Sequence, residues 1–121
     1  MAYIVHLHTH TDARGSLTVV DTELPFEIKR VFYIYNSLGL PRGQHKHRKS
    51  AEALICINGR CNIQVDNGVT KERFSLENPD VCLVLDPLDW HVISDLSKDS
   101  ILLVLASEHY DSSDYSREGS D

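Results

Sequence analysis

The sequence predicts an all-β protein, folded as an antiparallel sandwich or barrel. Short runs rich in Val, Ile and Leu, with Thr and aromatic residues, recur along almost the whole chain. They are separated by turn-forming stretches such as "DARG", "DNG" and "LSKDS", the pattern of closely spaced strands. No amphipathic window long enough for a crossover helix lies between them. A parallel α/β sheet is therefore not expected.

The expected strands are, in chain order, "YIVHLHT", "SLTVVDT", "KRVFYIYN", "EALICIN", "CNIQVD", "KERFSL", "VCLVLDP", "WHVISD" and "SILLVLAS". "DNG" at residues 66–68 predicts a hairpin, because Asn-Gly readily adopts the positive φ angles of tight turns. Asn58-Gly59 is a second, shorter case of the same signal. The last twelve residues are polar and lack periodicity, which predicts a loosely held tail or a short helical turn.

Length and charge narrow the classes of function. The 121 residues predict a single domain over residues 1–117, with a flexible tail at 118–121. The formal net charge of -6 argues against sequence-independent nucleic-acid binding, which depends on clustered Lys and Arg. No apolar run approaches a membrane span, and the N-terminus does not resemble a signal peptide. The three cysteines form no CxxC pair and are expected as buried thiols in a reducing cytosol.

The segment from Gly39 to Gly59 contains the densest group of chemically active side chains. His45 and His47 are two residues apart and on a strand would point to the same face. Their spacing to Glu52 matches the first motif of the cupins, which are small β-barrels. A second cupin motif is incomplete: "DPLDWHVISD" supplies a proline and His91, but an aspartate replaces the glycine and the histidine comes one residue early.

Three interpretations of this group are open. The histidines could be surface or hydrogen-bonded residues without a chemical role. His45, His47, Glu52 and His91 could bind Zn, Fe, Mn or Ni, all of which accept imidazole and carboxylate ligands. The same imidazoles could instead transfer protons near neutral pH. The last two partly exclude each other, because a metal-bound nitrogen has no lone pair left for a proton.

Longer stretches give a more specific resemblance. "DARGSLTVVD", "LPFEIKRVFYIYN", "PRGQHKHRKSAEALICINGRCNIQVDNG" and "DPLDWHVISDLSKDSILLVLASEHYDSSDYSRE" resemble the sugar-nucleotide 3,4-ketoisomerases, from about residue 12 to residue 117. The resemblance implies a cupin-type double-stranded β-helix, or jelly-roll barrel, with little helix. It also implies a homodimer with exchanged N-terminal strands, no required metal and no redox cofactor.

The implied reaction moves the ketone of dTDP-4-keto-6-deoxyglucose from C4 to C3 through an enediol. By resemblance, His47 is predicted as the base at carbon and His45 as the proton shuttle between the oxygens, and the reverse assignment of the two histidines stays open. Tyr33 is the third predicted catalytic residue, as a donor to the enediolate oxygen.

Substrate binding is predicted for a further set of residues. Arginines suit a diphosphate because guanidinium binds phosphate through two hydrogen bonds. Trp90 could stack on the thymine or the sugar, or could belong to the core, and Arg30 could instead pair with Glu27 or Glu52. The predicted binding residues are Arg14, Gly15, Arg30, Tyr35, Arg42, Trp90 and His91.

The resemblance places the protein in the cytoplasm, in deoxyaminosugar synthesis for surface glycans such as lipopolysaccharide O-antigen or S-layer glycan. The sequence leaves open whether the product has the gluco or galacto configuration at C4. Two other functions remain as alternatives: a metal-dependent cupin enzyme and a non-catalytic sugar-binding cupin.

Overall fold

The computed structural model describes residues 2–47 and 49–116, with His45, Tyr115 and Ser116 described by their backbone alone. This part of the chain contains strands and one short 3-10 turn, which confirms the all-β prediction. It contains no helix long and apolar enough to cross a membrane. The strands are β1 (Tyr3–His6), β2 (His8–Asp12), β3 (Gly15–Val19), β4 (Arg30–Ile34), β5 (Arg42–His47), β6 (Glu52–Asn58), β7 (Cys61–Asp66), β8 (Lys71–Leu76), β9 (Val81–Leu85), β10 (Trp90–Ser94), β11 (Ile101–Ala106) and β12 (Tyr115–Ser116).

Two five-stranded antiparallel sheets form the body of the fold. One has the strand order β1-β9-β6-β11-β4, and the other has the order β12-β5-β10-β7-β8. A separate two-stranded ribbon pairs β2 with β3. Strands of both large sheets supply a common apolar cluster that includes Leu54, Ile63 and Leu102, so the sheets face each other across the core.

The central strands of the first sheet are largely apolar because both of their faces are covered. Leu54 and Cys56 of β6 belong to the inner cluster between the sheets. The alternating residues Ala53 and Ile55 belong to a second cluster on the other face. That face is covered by side chains of the β1–β2 junction and of the segment after β3, including Leu7, Leu24 and Phe26. A continuous apolar run is typical of a strand that is buried on both sides.

Local turn chemistry explains one predicted connection and not the other. "DNG" forms the β7–β8 hairpin as predicted: Asn67 accepts the backbone N–H groups of Val69 and Thr70, and Gly68 has a φ of 91°. The second Asn-Gly pair connects β6 and β7, which lie in different sheets. The interpretation of that pair as a hairpin turn was therefore wrong. The turn moves the chain from one sheet to the other.

Two observed strands, β5 and β12, lie outside the runs that the sequence indicated, and the first of those runs is divided into two strands. The first run forms β1 and β2, which are separated at Leu7. β5 is polar and contains glycine, so local composition does not indicate it; pairing with β10 and β12 holds it in place. In the C-terminal segment, the short helical turn is present at Ser112–Asp114, and β12 follows it.

Candidate active site

A bulge in β5 brings the histidine segment against β10. His45 lies opposite His91, and Gly43 lies opposite Val92, so Gln44 is an extra residue in the ladder. Gln44 has a φ of 54° and Gly43 a φ of 90°, consistent with a β-bulge. A Cβ at residue 43 would lie 3.2 Å from the His91 carbonyl oxygen. Glycine therefore permits both the positive φ and the close approach of the two strands.

His47 is only 3% exposed, and its imidazole has contacts on both of its ring nitrogens. Its Nδ1 lies 3.0 Å from Oδ2 of Asp114, and its Nε2 lies 3.4 Å from Oε2 of Glu52. The His47 backbone N–H donates to the carbonyl oxygen of Pro87 at 2.9 Å. The two halves of the cupin-like pattern are therefore joined directly at this residue.

Asp114 is a site residue that the sequence analysis did not single out. Besides contacting His47, its Oδ1 accepts the Lys49 backbone N–H at 2.6 Å. The carboxylate is positioned by the 3-10 turn, which Asp111 stabilises by accepting from the N–H and hydroxyl of Ser113. The sequence did contain a cue to this turn: "DSSD" begins with an aspartate, a residue type that favours Asx turns, and it stands just before the last strand.

Glu52 lies between two imidazoles. At the start of β6 it is 4% exposed, and His91 is 2% exposed. Oε1 of Glu52 lies 3.7 Å from Nε2 of His91, while Oε2 contacts His47 as described. Nδ1 of His91 lies 3.3 Å from the carbonyl oxygen of Asp89. Because a carbonyl can only accept, Nδ1 carries the hydrogen and Nε2 is directed toward Glu52.

The two histidines differ in their proton affinity. Burial lowers the pKa of His47, but the carboxylates of Glu52 and Asp114 more than offset this and raise the pKa above its ordinary value. Burial holds the pKa of His91 below its ordinary value, even though Glu52 and the Asp89 carbonyl favour the charged form. One imidazole therefore tends to hold a proton while the other tends to be neutral, an arrangement suited to proton transfer.

A cavity of about 150 Å³ opens beside these groups. Glu52 and His91 line it, together with the guanidinium-bearing residues Arg30 and Arg42. His47 is not among the lining residues that the structure describes and lies behind Glu52. The rest of the wall is largely apolar, supplied by Phe32, Ile34, Leu54, Ile93 and Val104. A pocket of apolar walls with a few convergent charged groups is typical of an enzyme site.

Four of the predicted site residues are on the cavity side or in the cluster behind it: Arg30, Arg42, His47 and His91. The Arg30 guanidinium also lies over the rings of Phe32 and Tyr110, at 4.6 and 5.2 Å. Arg30 therefore lies at the cavity that Glu52 also lines. His45 lies beside His91 in register, and its predicted catalytic role concerns a side chain outside the described part.

Tyr33 and Tyr35 do not line this cavity, contrary to the prediction. Alternation along β4 directs Arg30, Phe32 and Ile34 toward the cavity and the tyrosines to the opposite face. They are 62% and 58% exposed, and their ring centroids are 5.8 Å apart. Within one chain, Tyr33 cannot donate to an enediolate held beside Glu52.

Trp90 is also separated from the cavity by strand alternation. It precedes His91 on β10, so its side chain projects to the other face of the sheet. There it lines a groove of about 350 Å³ with side chains of β7 and β8, including Gln64 and Arg73. Trp90 is therefore neither part of the apolar core nor a wall of the cavity that contains His91.

Arg14 and Gly15 lie in the turn of the β2–β3 ribbon. The Arg14 guanidinium pairs with the Asp12 carboxylate at 2.6 Å, and this lowers the pKa of Asp12. Gly15 has a φ of 126°, which fits a turn residue. Neither residue belongs to the lining of this cavity in its own chain.

The metal alternative can be compared with the positions of its proposed ligands. His47, Glu52 and His91 are neighbours, while the fourth, His45, has no described side chain. Among the side chains that the structure describes, which do not include that of His45, no three of His, Cys, Asp or Glu are arranged to hold a metal ion. Nδ1–H of His91 and Nδ1 of His47 are both engaged with oxygen acceptors, and only the Nε2 atoms point toward Glu52.

Comparison with known proteins places the chain among sugar isomerases. Residues 2–121 match the family described as FdtA, WxcM-like, C-terminal. A protein of Aneurinibacillus thermoaerophilus named TDP-4-oxo-6-deoxy-alpha-D-glucose-3,4-oxoisomerase is 39% identical over 118 residues, covering 95% of this chain and 85% of that protein.

Two solved structures have closely similar folds. A 3,4-ketoisomerase from Helicobacter canadensis is 34% identical with a TM-score of 0.93, covering 97% of this chain and 90% of that one. The 3,4-ketoisomerase QdtA from Thermoanaerobacterium thermosaccharolyticum, a histidine-to-asparagine mutant in complex with TDP-4-keto-6-deoxyglucose, is 35% identical with a TM-score of 0.93. That match covers 97% of this chain and 87% of QdtA.

Proposed function

Because the chain belongs to the FdtA-type, WxcM-like family, we propose that it is a 3,4-ketoisomerase acting on dTDP-4-keto-6-deoxyglucose. The observation that carries this proposal is the cavity in which Glu52 and His91 meet two arginines, with His47 directly behind. Imidazole and carboxylate groups can move protons, and guanidinium groups can bind the anionic diphosphate. The identity of the proposed sugar is taken from the names of the relatives.

The reaction requires only proton movements within the site. The C3–H bond breaks, its electron pair forms a C3=C4 double bond, and the former carbonyl oxygen at C4 takes a proton. The hydroxyl at C3 then loses its proton and becomes the ketone, while the double-bond electrons take a proton at C4. Two protons leave and two arrive, so the sugar exchanges no electrons with a cofactor. The cluster of His47, Glu52 and His91 can supply these transfers.

The test is to incubate the protein with dTDP-4-keto-6-deoxyglucose in D2O and follow the sugar protons by NMR. We expect loss of the C3 proton signal and a 3-keto product that carries deuterium at C4. The C4 coupling pattern of the same product reports whether it has the gluco or galacto configuration. Binding of the nucleotide sugar without exchange at either carbon would contradict the enzyme and favour a sugar-binding cupin.

We also propose that the protein is a homodimer that exchanges its N-terminal strands. An isolated two-stranded ribbon such as β2–β3 is marginally stable by itself, and this ribbon is largely exposed. The outer face of the edge strand β4 exposes Val31, Tyr33 and Tyr35, and aromatic residues are enriched in protein interfaces. A partner subunit would cover this face and could receive Arg14 of the ribbon near its cavity.

The dimer can be tested by light scattering coupled to size-exclusion chromatography. At micromolar concentration we expect a mass about twice the 13.7 kDa of one chain. The double substitution Tyr33→Lys and Tyr35→Lys should shift the mass toward the monomer, because two charges would have to be buried in the interface. Val69→Lys, at an exposed position in the β7–β8 turn, is the matched control. A monomeric wild-type protein would contradict the proposal.

The cytoplasm is the compartment that we propose for this activity. Cys56, Cys61 and Cys82 are free and buried, and unpaired thiols persist best in a reducing environment. Burial raises the pKa of Cys82 to about 11, so this thiol is unreactive at neutral pH.

A further inference from the structure

We propose that Glu52 is the positioning residue that carries a proton between His91 in the cavity and His47 behind it. This inference rests on the proposed isomerase activity and deepens it. The proposed proton path consists of four side chains in the order Asp114, His47, Glu52 and His91. Glu52 and His91 line the cavity.

The geometry of Glu52 carries the proposal. Its two carboxylate oxygens are divided between the two histidines: Oε2 is 3.4 Å from Nε2 of His47, and Oε1 is 3.7 Å from Nε2 of His91. The two imidazole planes are inclined by only 22°, with centroids 6.2 Å apart. The Glu52 carboxylate contacts the Nε2 atoms of both rings and so connects them. Catalytic contacts are often longer than hydrogen bonds before substrate binds and shorten in the complex.

The outer ends of the path are fixed by oxygen acceptors. Asp114 accepts from Nδ1 of His47, and the Asp89 carbonyl accepts from Nδ1 of His91. Each ring therefore has its Nε2 committed to the side of Glu52, so a proton that arrives at one Nε2 faces a carboxylate oxygen. An acceptor on the second nitrogen of an imidazole fixes its tautomer and orientation.

The path gives the proton a place to be held while the ketone moves from C4 to C3. The proton taken from C3 must be held while the enediol exists, and a proton must then return at C4. In our proposal one proton is already shared between Oε2 of Glu52 and Nε2 of His47. His91 Nε2 takes the C3 proton and passes it to Oε1 of Glu52, while the shared proton moves fully onto Nε2 of His47. The reverse sequence returns a proton to the cavity for C4. No electron enters from outside the sugar, and the protons come from these side chains, whose exchangeable hydrogens are replaced by deuterium in D2O.

The two possible roles of Glu52, support of the fold and proton relay, predict different effects on the rates of exchange and isomerisation. If Glu52 only supported the fold, its loss would slow exchange at C3 and net isomerisation equally. If Glu52 connects the two half-reactions, the first half can still occur on His91, and the second half is slowed. The ratio of C3 deuterium exchange to product formation therefore separates the two roles.

The experiment compares wild type with Glu52→Gln in D2O, using dTDP-4-keto-6-deoxyglucose and NMR. We expect kcat for isomerisation to fall by about 100-fold or more, KM to change less than about threefold, and the exchange-to-product ratio to rise about tenfold or more. Adding His47→Asn to Glu52→Gln should cost little further rate, because residues that act as one unit are not additive. Glu77→Gln, an exposed carboxylate, is the matched control and should match wild type.

Two results would overturn the relay. One is a Glu52→Gln protein that isomerises within threefold of wild type, and the other is exchange and product formation that decline in the same proportion. If circular dichroism shows that Glu52→Gln is unfolded, the ratio of C3 exchange to product formation is measured on Glu52→Asp instead. This variant keeps the carboxylate on a shorter side chain. A wild-type protein with neither exchange nor product would instead contradict the isomerase itself, so the two failures are distinguishable.

Discussion

Replacing His47 by Asn should abolish nearly all isomerase turnover while leaving the β-barrel folded. We expect kcat to fall by about 10² to 10⁴, the usual contribution of a positioned proton-transfer group. Asn keeps a polar group of smaller volume opposite Asp114 but cannot hold or release a proton in this pH range. The measurement is the initial rate of ketone migration, with far-ultraviolet circular dichroism as the check on the fold.

His109→Asn is the matched control for this substitution, because His109 is exposed in the segment after β11. It should retain wild-type turnover. A His47→Asn protein that is folded and turns over at more than about a tenth of the wild-type rate would show that this imidazole is not needed for proton transfer.

Replacing Asp114 by Asn should be nearly as damaging, through its effect on His47. The amide can donate as well as accept, so it can stabilise the tautomer in which Nδ1 of His47 lacks a hydrogen, and it removes one of the two carboxylates that raise the pKa of that ring. We expect kcat to fall by about 10² or more, with KM nearly unchanged. The pH profile should change too: the His47 ionisation should move to lower pH.

Asp95→Asn is the control for Asp114→Asn. Asp95 has a φ of 52°, which asparagine tolerates, and it forms an exposed ion pair with Arg73, the kind that contributes at most about 1 kcal/mol. The control should keep wild-type kinetics. An Asp114→Asn enzyme with unchanged kcat and an unchanged pH profile would show that Asp114 does not control the protonation of His47.

Local patterns predicted the fold where local chemistry determines it. "DNG" determined the β7–β8 hairpin through side-chain acceptors two and three residues away. The apolar runs of β6, β9 and β11 gave central strands whose two faces enter two different clusters. β5 was not indicated because its sequence is polar, and its conformation depends on β10, which lies more than forty residues later.

The site was predicted in part for the same reason. The spacing of His45, His47 and Glu52 is local and indicated a functional cluster. Strand alternation puts Tyr33 and Tyr35 on one face. Which face they share depends on how β4 pairs with β11. Asp114 reaches His47 across a separation of 67 residues, and no periodicity within either segment encodes such a contact.

The most direct test is a crystal structure of the His47→Asn protein soaked with dTDP-4-keto-6-deoxyglucose. We expect the hexose to occupy the cavity lined by Glu52 and His91, with C3 and C4 within about 3 to 4 Å of their side-chain atoms and the diphosphate beside an arginine. A hexose bound instead in the Trp90 groove, with Glu52 and His91 facing only solvent, would contradict this expectation.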